Sequence, residues 1–165
     1  MKKELIERIE VGSGGASSIE FTGIPQDGKD LILSISSRQA AASALKWYSL
    51  NFNNASVTES FLFLQGNGSA VNTYSYSEIN YIYSQADSTT ADTFSSASIY
   101  ISNYASSTTK SLSVDNATEN NGTTAYLQFG AASIALTSAI SSIQIDPNST
   151  FMEHTTASLY KVVTE

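Results

Sequence analysis

The chain has no cysteine, one histidine, two prolines and two arginines, Arg8 and Arg38. Each scarcity removes a class of function. Without cysteine there is no disulfide framework, no thiolate nucleophile and no thiolate metal ligand. A lone histidine cannot supply a two-histidine metal site within one chain. Eight basic against fifteen acidic side chains leave a formal charge of −7. Phosphate binding needs clustered positive charge, so nucleic acid is a poor partner. No apolar run approaches the ~20 residues that span a bilayer as a helix. Lys2 and Lys3 are not followed by the hydrophobic stretch of a secretory signal.

What the chain does have is small uncharged polarity. Serine, threonine and asparagine number 29, 16 and 11, or 56 of 165 residues, while only 14% are charged and 41% hydrophobic. One domain is the expectation at this length, burying roughly 70% of its unfolded surface without metal or disulfide. Asn-x-Ser/Thr triplets at Asn54, Asn67, Asn116, Asn121 and Asn148 read as background in so Ser/Thr-rich a chain.

The hydrophobic period is two almost throughout. Tyr48, Leu50 and Phe52 share one face of a strand, as do Ile99 and Ile101, Leu112 and Val114, and Leu127 and Phe129. Phe61-Leu62-Phe63-Leu64 is the most apolar run and reads as a central strand. Glycine- and asparagine-rich turns separate the strands at residues 12–15, 26–28, 66–68, 120–122 and 146–148. About ten strands exceed what one open sheet holds comfortably, so the pattern predicts an all-β fold: a two-sheet sandwich of jelly-roll type. At most one short helix is expected, in the alanine-rich stretch near residues 38–45. Residues 1–11 form an N-terminal arm or first strand, and residues 12–165 the single sandwich domain.

No residues assemble into recognisable chemistry. His154 has no partner pattern for catalysis and reads as a surface or loop residue. Asp115 and Glu119 stand four apart, roughly 13 Å in an extended strand, too far for a glycosidase pair. Asp27, Asp30, Asp87 and Asp92 lack the dense acidic spacing of a calcium loop. Gly12-Ser13-Gly14-Gly15 opens no helix and is no phosphate loop. The expectation is therefore no enzyme, no metal and no cofactor. Tyr74, Tyr76, Tyr81 and Tyr83 are the most suggestive cluster, because paired aromatics on strand faces serve either protein interfaces or stacking on sugar rings.

Three stretches carry a resemblance. They are Gly14-Gly15-Ala16-Ser17-Ser18-Ile19-Glu20-Phe21-Thr22-Gly23-Ile24-Pro25 with Asp30-Leu31-Ile32-Leu33 and Ser36-Ser37-Arg38; Ile99-Tyr100-Ile101-Ser102-Asn103-Tyr104-Ala105-Ser106 with Lys110-Ser111-Leu112-Ser113-Val114-Asp115; and Glu119-Asn120-Asn121-Gly122-Thr123-Thr124-Ala125-Tyr126. Together they resemble small virion structural proteins of tailed bacteriophages from aquatic bacteria, over residues 12 to 163. The resemblance implies a jelly-roll-like sandwich, a homotrimer and a place in the virion after assembly in the host cytoplasm. It implies a capsid decoration, or cement, protein whose partner is the major capsid protein or another virion protein. The alternative it leaves open is a tail or head fibre or adaptor component, with host-glycan binding. On this reading Lys2, Lys3 and Arg8, three of only eight positive charges, are candidate anchors to the particle. The other reading of the same segment is an ordinary core strand.

Overall fold

The computed structural model of the chain describes residues 2–119 and 125–163. The expected turn at residues 120–122, Met1 and the C-terminal Thr164 and Glu165 lie outside the described residues.

The described chain is all-β. Its strands are β1 (Lys2–Glu10), β2 (Ile19–Phe21), β3 (Asp30–Ala40), β4 (Leu45–Phe52), β5 (Glu59–Gly66), β6 (Val71–Tyr76), β7 (Ile82–Ala86), β8 (Ser95–Ile101), β9 (Lys110–Glu119), β10 (Ala125–Ile134), β11 (Ile143–Pro147), β12 (Thr150–Phe151) and β13 (Thr156–Val163). They number thirteen rather than about ten, because short pairings such as the two-residue β12 carry no hydrophobic alternation.

Hydrogen bonding links them into one mixed sheet in which β3 changes partners along its length. Residues 30–37 of β3 pair antiparallel with β13 and β8. The end of β3 runs parallel to β7, Arg38 opposite Gln85 and Gln39 opposite Ala86, and antiparallel to β12. One stretch of the sheet therefore reads β1-β13-β3-β8-β9-β10-β5-β6, and the other continues through β7, β4, β11 and β2. Apolar side chains from both stretches join one buried cluster: Phe21, Leu50, Phe52, Ile143 and Ile145 from one, and Leu31, Leu33, Ile99, Ile101, Phe61 and Phe63 from the other. Each such side chain contributes about 1.5–3 kcal/mol by leaving water.

No helix forms among the described residues. Residues 38–40 finish β3, and 41–44 are a bend leading into β4. Eight residues are too few to nucleate a helix alone. Here the backbone of Arg38 and Gln39 is already claimed by β7 and β12, and Gln39 donates its amide to the Trp47 carbonyl at 3.0 Å. Of the N-terminal segment, Lys2–Glu10 runs as a strand antiparallel along β13, from Lys2↔Val163 to Glu10↔Thr156.

Candidate contact surface

Register places three rows of side chains across the outward face of the longer stretch. One row runs Ser34, Ser98, Asp115, Phe129, Leu64, Thr73 from β3 to β6. A second runs Ser36, Ser96, Ala117, Leu127, Gly66, Val71, and a third Ile32, Tyr100, Ser113, Ala131, Leu62, Ser75. Asp115 is the only charged side chain in the three rows. Apart from Ile32 and Tyr100, the β3–β9 part carries small, mostly polar side chains, while the β10–β5–β6 part is apolar. Val71 is 72% exposed, Leu62 56%, Phe129 50%, Leu64 48% and Leu127 42%. Leu62, Leu64, Thr73, Phe129 and Ala131 surround a shallow apolar depression of about 340 Å³ floored by Gly130.

Two sequence expectations fail here. Phe61-Leu62-Phe63-Leu64 is not buried on both faces, and β5 is one strand from the edge rather than central. Phe61 and Phe63 are core residues, whereas Leu62 and Leu64 face outward because no second layer covers them. On β10 the parity is the reverse of the apolar pattern: Leu127 and Phe129 are exposed and Gln128 is buried. Gln128 can be inside because both polar atoms of its amide have partners. Its oxygen accepts from the Tyr83 amide (2.9 Å) and from Asn116 (2.7 Å), and its nitrogen donates to the Tyr81 carbonyl (2.9 Å). Gly130 lies inward between Gln128 and Ala132, where a Cβ would stand 2.5 Å from the Phe61 ring.

The tyrosine cluster is assembled, but as a seam more than a cleft. Tyr74 and Tyr76 flank each other on the inward face of β6, with ring centroids 6.5 Å apart and 9° between planes. Tyr76 stacks on Tyr81 at 4.4 Å, and Tyr81 lies 5.0 Å from Trp47. Tyr74 and Tyr76 also pack on Phe63 at 5.1 and 5.9 Å. The ladder thus bridges β5 and β6 to β4. Tyr81 holds a left-handed backbone, φ 60°, a costly conformation for an aromatic residue that this packing over-determines. Tyr83 stands apart, edge-on to Tyr126 at 6.1 Å. Burial, then the neighbouring tyrosines, hold the Tyr76 and Tyr83 hydroxyls above the ordinary phenol range. Trp47 borders a small polar groove with Glu78, Asn80, Asp146 and Asn148, and carries the Lys46 ammonium 5.5 Å from its ring centre.

The N-terminal cations sit on an exposed strand among carboxylates. Lys2 pairs with Glu4 at 3.0 Å and Arg8 with Glu10 at 3.6 Å, while Lys3 is exposed and makes no salt bridge among the described residues.

Two other cations are internal. The Lys110 ammonium, in a residue 1% exposed, donates to the carbonyls of Ser106, Thr108, Leu136 and Ser138 at 2.7–2.9 Å. It pins two loops together, and burial pulls it below the ordinary lysine range. Arg38 donates to Thr89 Oγ1 and to the Thr90 and Thr93 carbonyls at 3.0 Å, ordering the loop between β7 and β8. Nothing in the sequence distinguished these two from surface cations.

Three further titratable residues have partners of their own. His154 is exposed, 3.4 Å from Glu10. Asp27 accepts from Lys161 at 2.6 Å, and Asp30 accepts from the Tyr100 hydroxyl (2.6 Å) and the Asn103 amide (2.8 Å). Among the described residues no three His, Asp or Glu side chains converge as a metal site.

Compared with protein-family models, curated proteins and solved structures, the chain matches none.

Proposed function

We propose that the chain is a non-enzymatic structural protein of a tailed-phage virion, a capsid decoration subunit that docks on the mature shell and stabilises it. The observation that carries this reading is the outward face of β3, β8, β9, β10, β5 and β6. It presents serine rows and five exposed large apolar side chains with one carboxylate among them. Such a face is cheap to desolvate and offers no reactive group, so it suits contact more than chemistry. Binding only the mature lattice stabilises that lattice by linkage, and many copies multiply modest single-site contacts. The −7 charge keeps undocked subunits apart. In the same reading the two stretches of sheet are the layers of a jelly-roll-type sandwich. The single buried cluster drawn from both supports it.

The test is the copy number of this chain in purified virions by quantitative mass spectrometry. A number on the scale of the shell lattice supports decoration; absence from the particle overturns the virion reading. A number on the scale of one tail favours the second reading, a fibre or adaptor component that touches host glycan. The Trp47–Tyr81–Tyr76–Tyr74 ladder beside a polar groove favours that alternative. A glycan array with no hits removes the sugar from it.

A further inference from the structure

We infer that the apolar end of this face, over β10, β5 and β6, is covered by a second copy of the same chain across a two-fold axis. The inference rests on the reading of this face as a contact surface, but not on a virion.

Five large apolar side chains are exposed together on three adjacent strands, a contiguous patch of the kind that marks a contact site. The question is what covers them. Charge answers part of it. The patch contains no charged residue in a protein of net charge −7, so two copies approach through it without like-charge contact.

Symmetry answers the rest. Among the described residues Leu5 is the only exposed large hydrophobic outside the patch. A head-to-tail contact needs a second, complementary apolar surface, and Leu5 alone does not make one. A two-fold contact needs only this patch meeting itself. The register also sets where the axis passes. Asp115 lies directly across from Phe129 at the β9 border of the patch. A two-fold axis lying in the interface along β5, over Leu64, sends the two Asp115 carboxylates to opposite rims, whereas one along β9 would force them together. The interface is small. The three strands of the patch, β10, β5 and β6, at ~4.8 Å spacing and about six residues long give a flat footprint on the order of 300 Å², which side-chain relief enlarges toward the roughly 600 Å² per partner at the lower limit of specific interfaces.

The experiment is light scattering and sedimentation of the full chain, with and without molar salt. The wild type should weigh twice 17.6 kDa and keep that mass in salt, because the contact is apolar. L64E/F129E should weaken association by at least roughly a hundredfold, since pairing would bury carboxylates. Both residues are exposed, so the circular dichroism spectrum should not change; L64S/F129S should shift association in the same direction. Ser34→Glu, on the same face beyond the patch, should leave the dimer intact. A wild type that weighs one chain or three, or a double variant that still pairs, overturns the inference. A monomer that nevertheless docks on particles removes the second copy and leaves the virion reading standing. A dimer absent from every virion does the reverse.

Discussion

The two ends of the long stretch of sheet are both strands with a partner on one side only, and they are built from opposite materials. In β1, Lys2, Lys3, Glu4, Glu7, Arg8 and Glu10 make six of nine residues charged. In β6, Val71-Asn72-Thr73-Tyr74-Ser75-Tyr76 has no charge and no proline. A strand edge meant to remain in water carries charge, because a neighbouring chain that pairs with it must desolvate that charge. β1 has this protection and β6 has none. The third end, β2, is blunted differently: it is three residues long and carries Glu20. The difference separates a charged, guarded edge from an uncharged one that borders the apolar patch.

The largest expected effect comes from removing what holds the uncharged end together. Phe63 is 2% exposed and touches the rings of Phe61, Tyr74 and Tyr76 at centroid distances of 5.2, 5.1 and 5.9 Å. Phe63→Ala should cost about 3–5 kcal/mol in denaturant unfolding. At the other end Ile9 is only partly buried, and Ile9→Ala should cost about 1–2 kcal/mol. Equal losses would mean that the two ends do not differ in how they are held.

The ends should also answer acid with opposite sign. Hydrogen bonding and charge from Lys2, then charge from Lys161, hold the Glu4 carboxyl of β1 below the ordinary range. Its folded value lies under its unfolded one, so its contribution is present above the unfolded value. That contribution is lost as pH falls through the lowered value. Glu59, which opens β5, is pushed up by burial, with the nearby Glu78 adding to it, although its Oε2 accepts the Ile79 amide at 2.8 Å. Its folded value lies above its unfolded one. Its favourable contribution is therefore complete below the unfolded value and is lost as pH rises through the raised one. Hydrogen exchange followed strand by strand should show acidification loosening β1 while tightening the start of β5. Glu59→Gln should abolish the second response and leave the first. A uniform response along the sheet would break the contrast.

Much of the fold could be read from alternation, and the surface could not. Tyr48, Leu50 and Phe52 are buried on one face of β4 as their spacing requires, and β9 alternates cleanly from Lys110 to Thr118. Period two assigns residues to two faces, but it does not say which face has a neighbour. Leu62 and Leu64 looked internal because they are apolar, and Leu127 and Phe129 looked internal for the same reason. The inside of β10 is instead set by Gln128, whose three hydrogen bonds come from residues 12 to 47 positions away. Lys110 is hidden in the same way: a lysine in a serine-rich strand reads as exposed until four distant or looped carbonyls enclose it. The tyrosines were recognised as a group. Their ladder depends on Trp47 and on the left-handed turn at Tyr81, neither of which the β6 pattern contains.

The smallest expected effect on stability comes from the charged end, and it decides what the charges are for. Three cations and three carboxylates on β1 cancel, and Lys2 and Arg8 spend their charge on Glu4 and Glu10 of the same strand. Exposed pairs of this kind contribute about 0–1 kcal/mol. Lys3→Glu and Arg8→Glu should therefore each move stability by no more than about 0.5 kcal/mol, measured as the denaturant midpoint at constant slope. If these side chains anchor the protein to a particle, the same variants should empty the particle while the fold stays intact. If they are only the guard on a solvent edge, occupancy should not move. The cost would appear in concentrated solution, as slow association of copies through β1. Lys3 is the sharper probe, because among the described residues it has no carboxylate partner to release. A fall in occupancy with Lys3→Glu and none with Arg8→Glu would assign anchoring to one uncompensated charge. That outcome would leave the rest of β1 to its role as a charged edge.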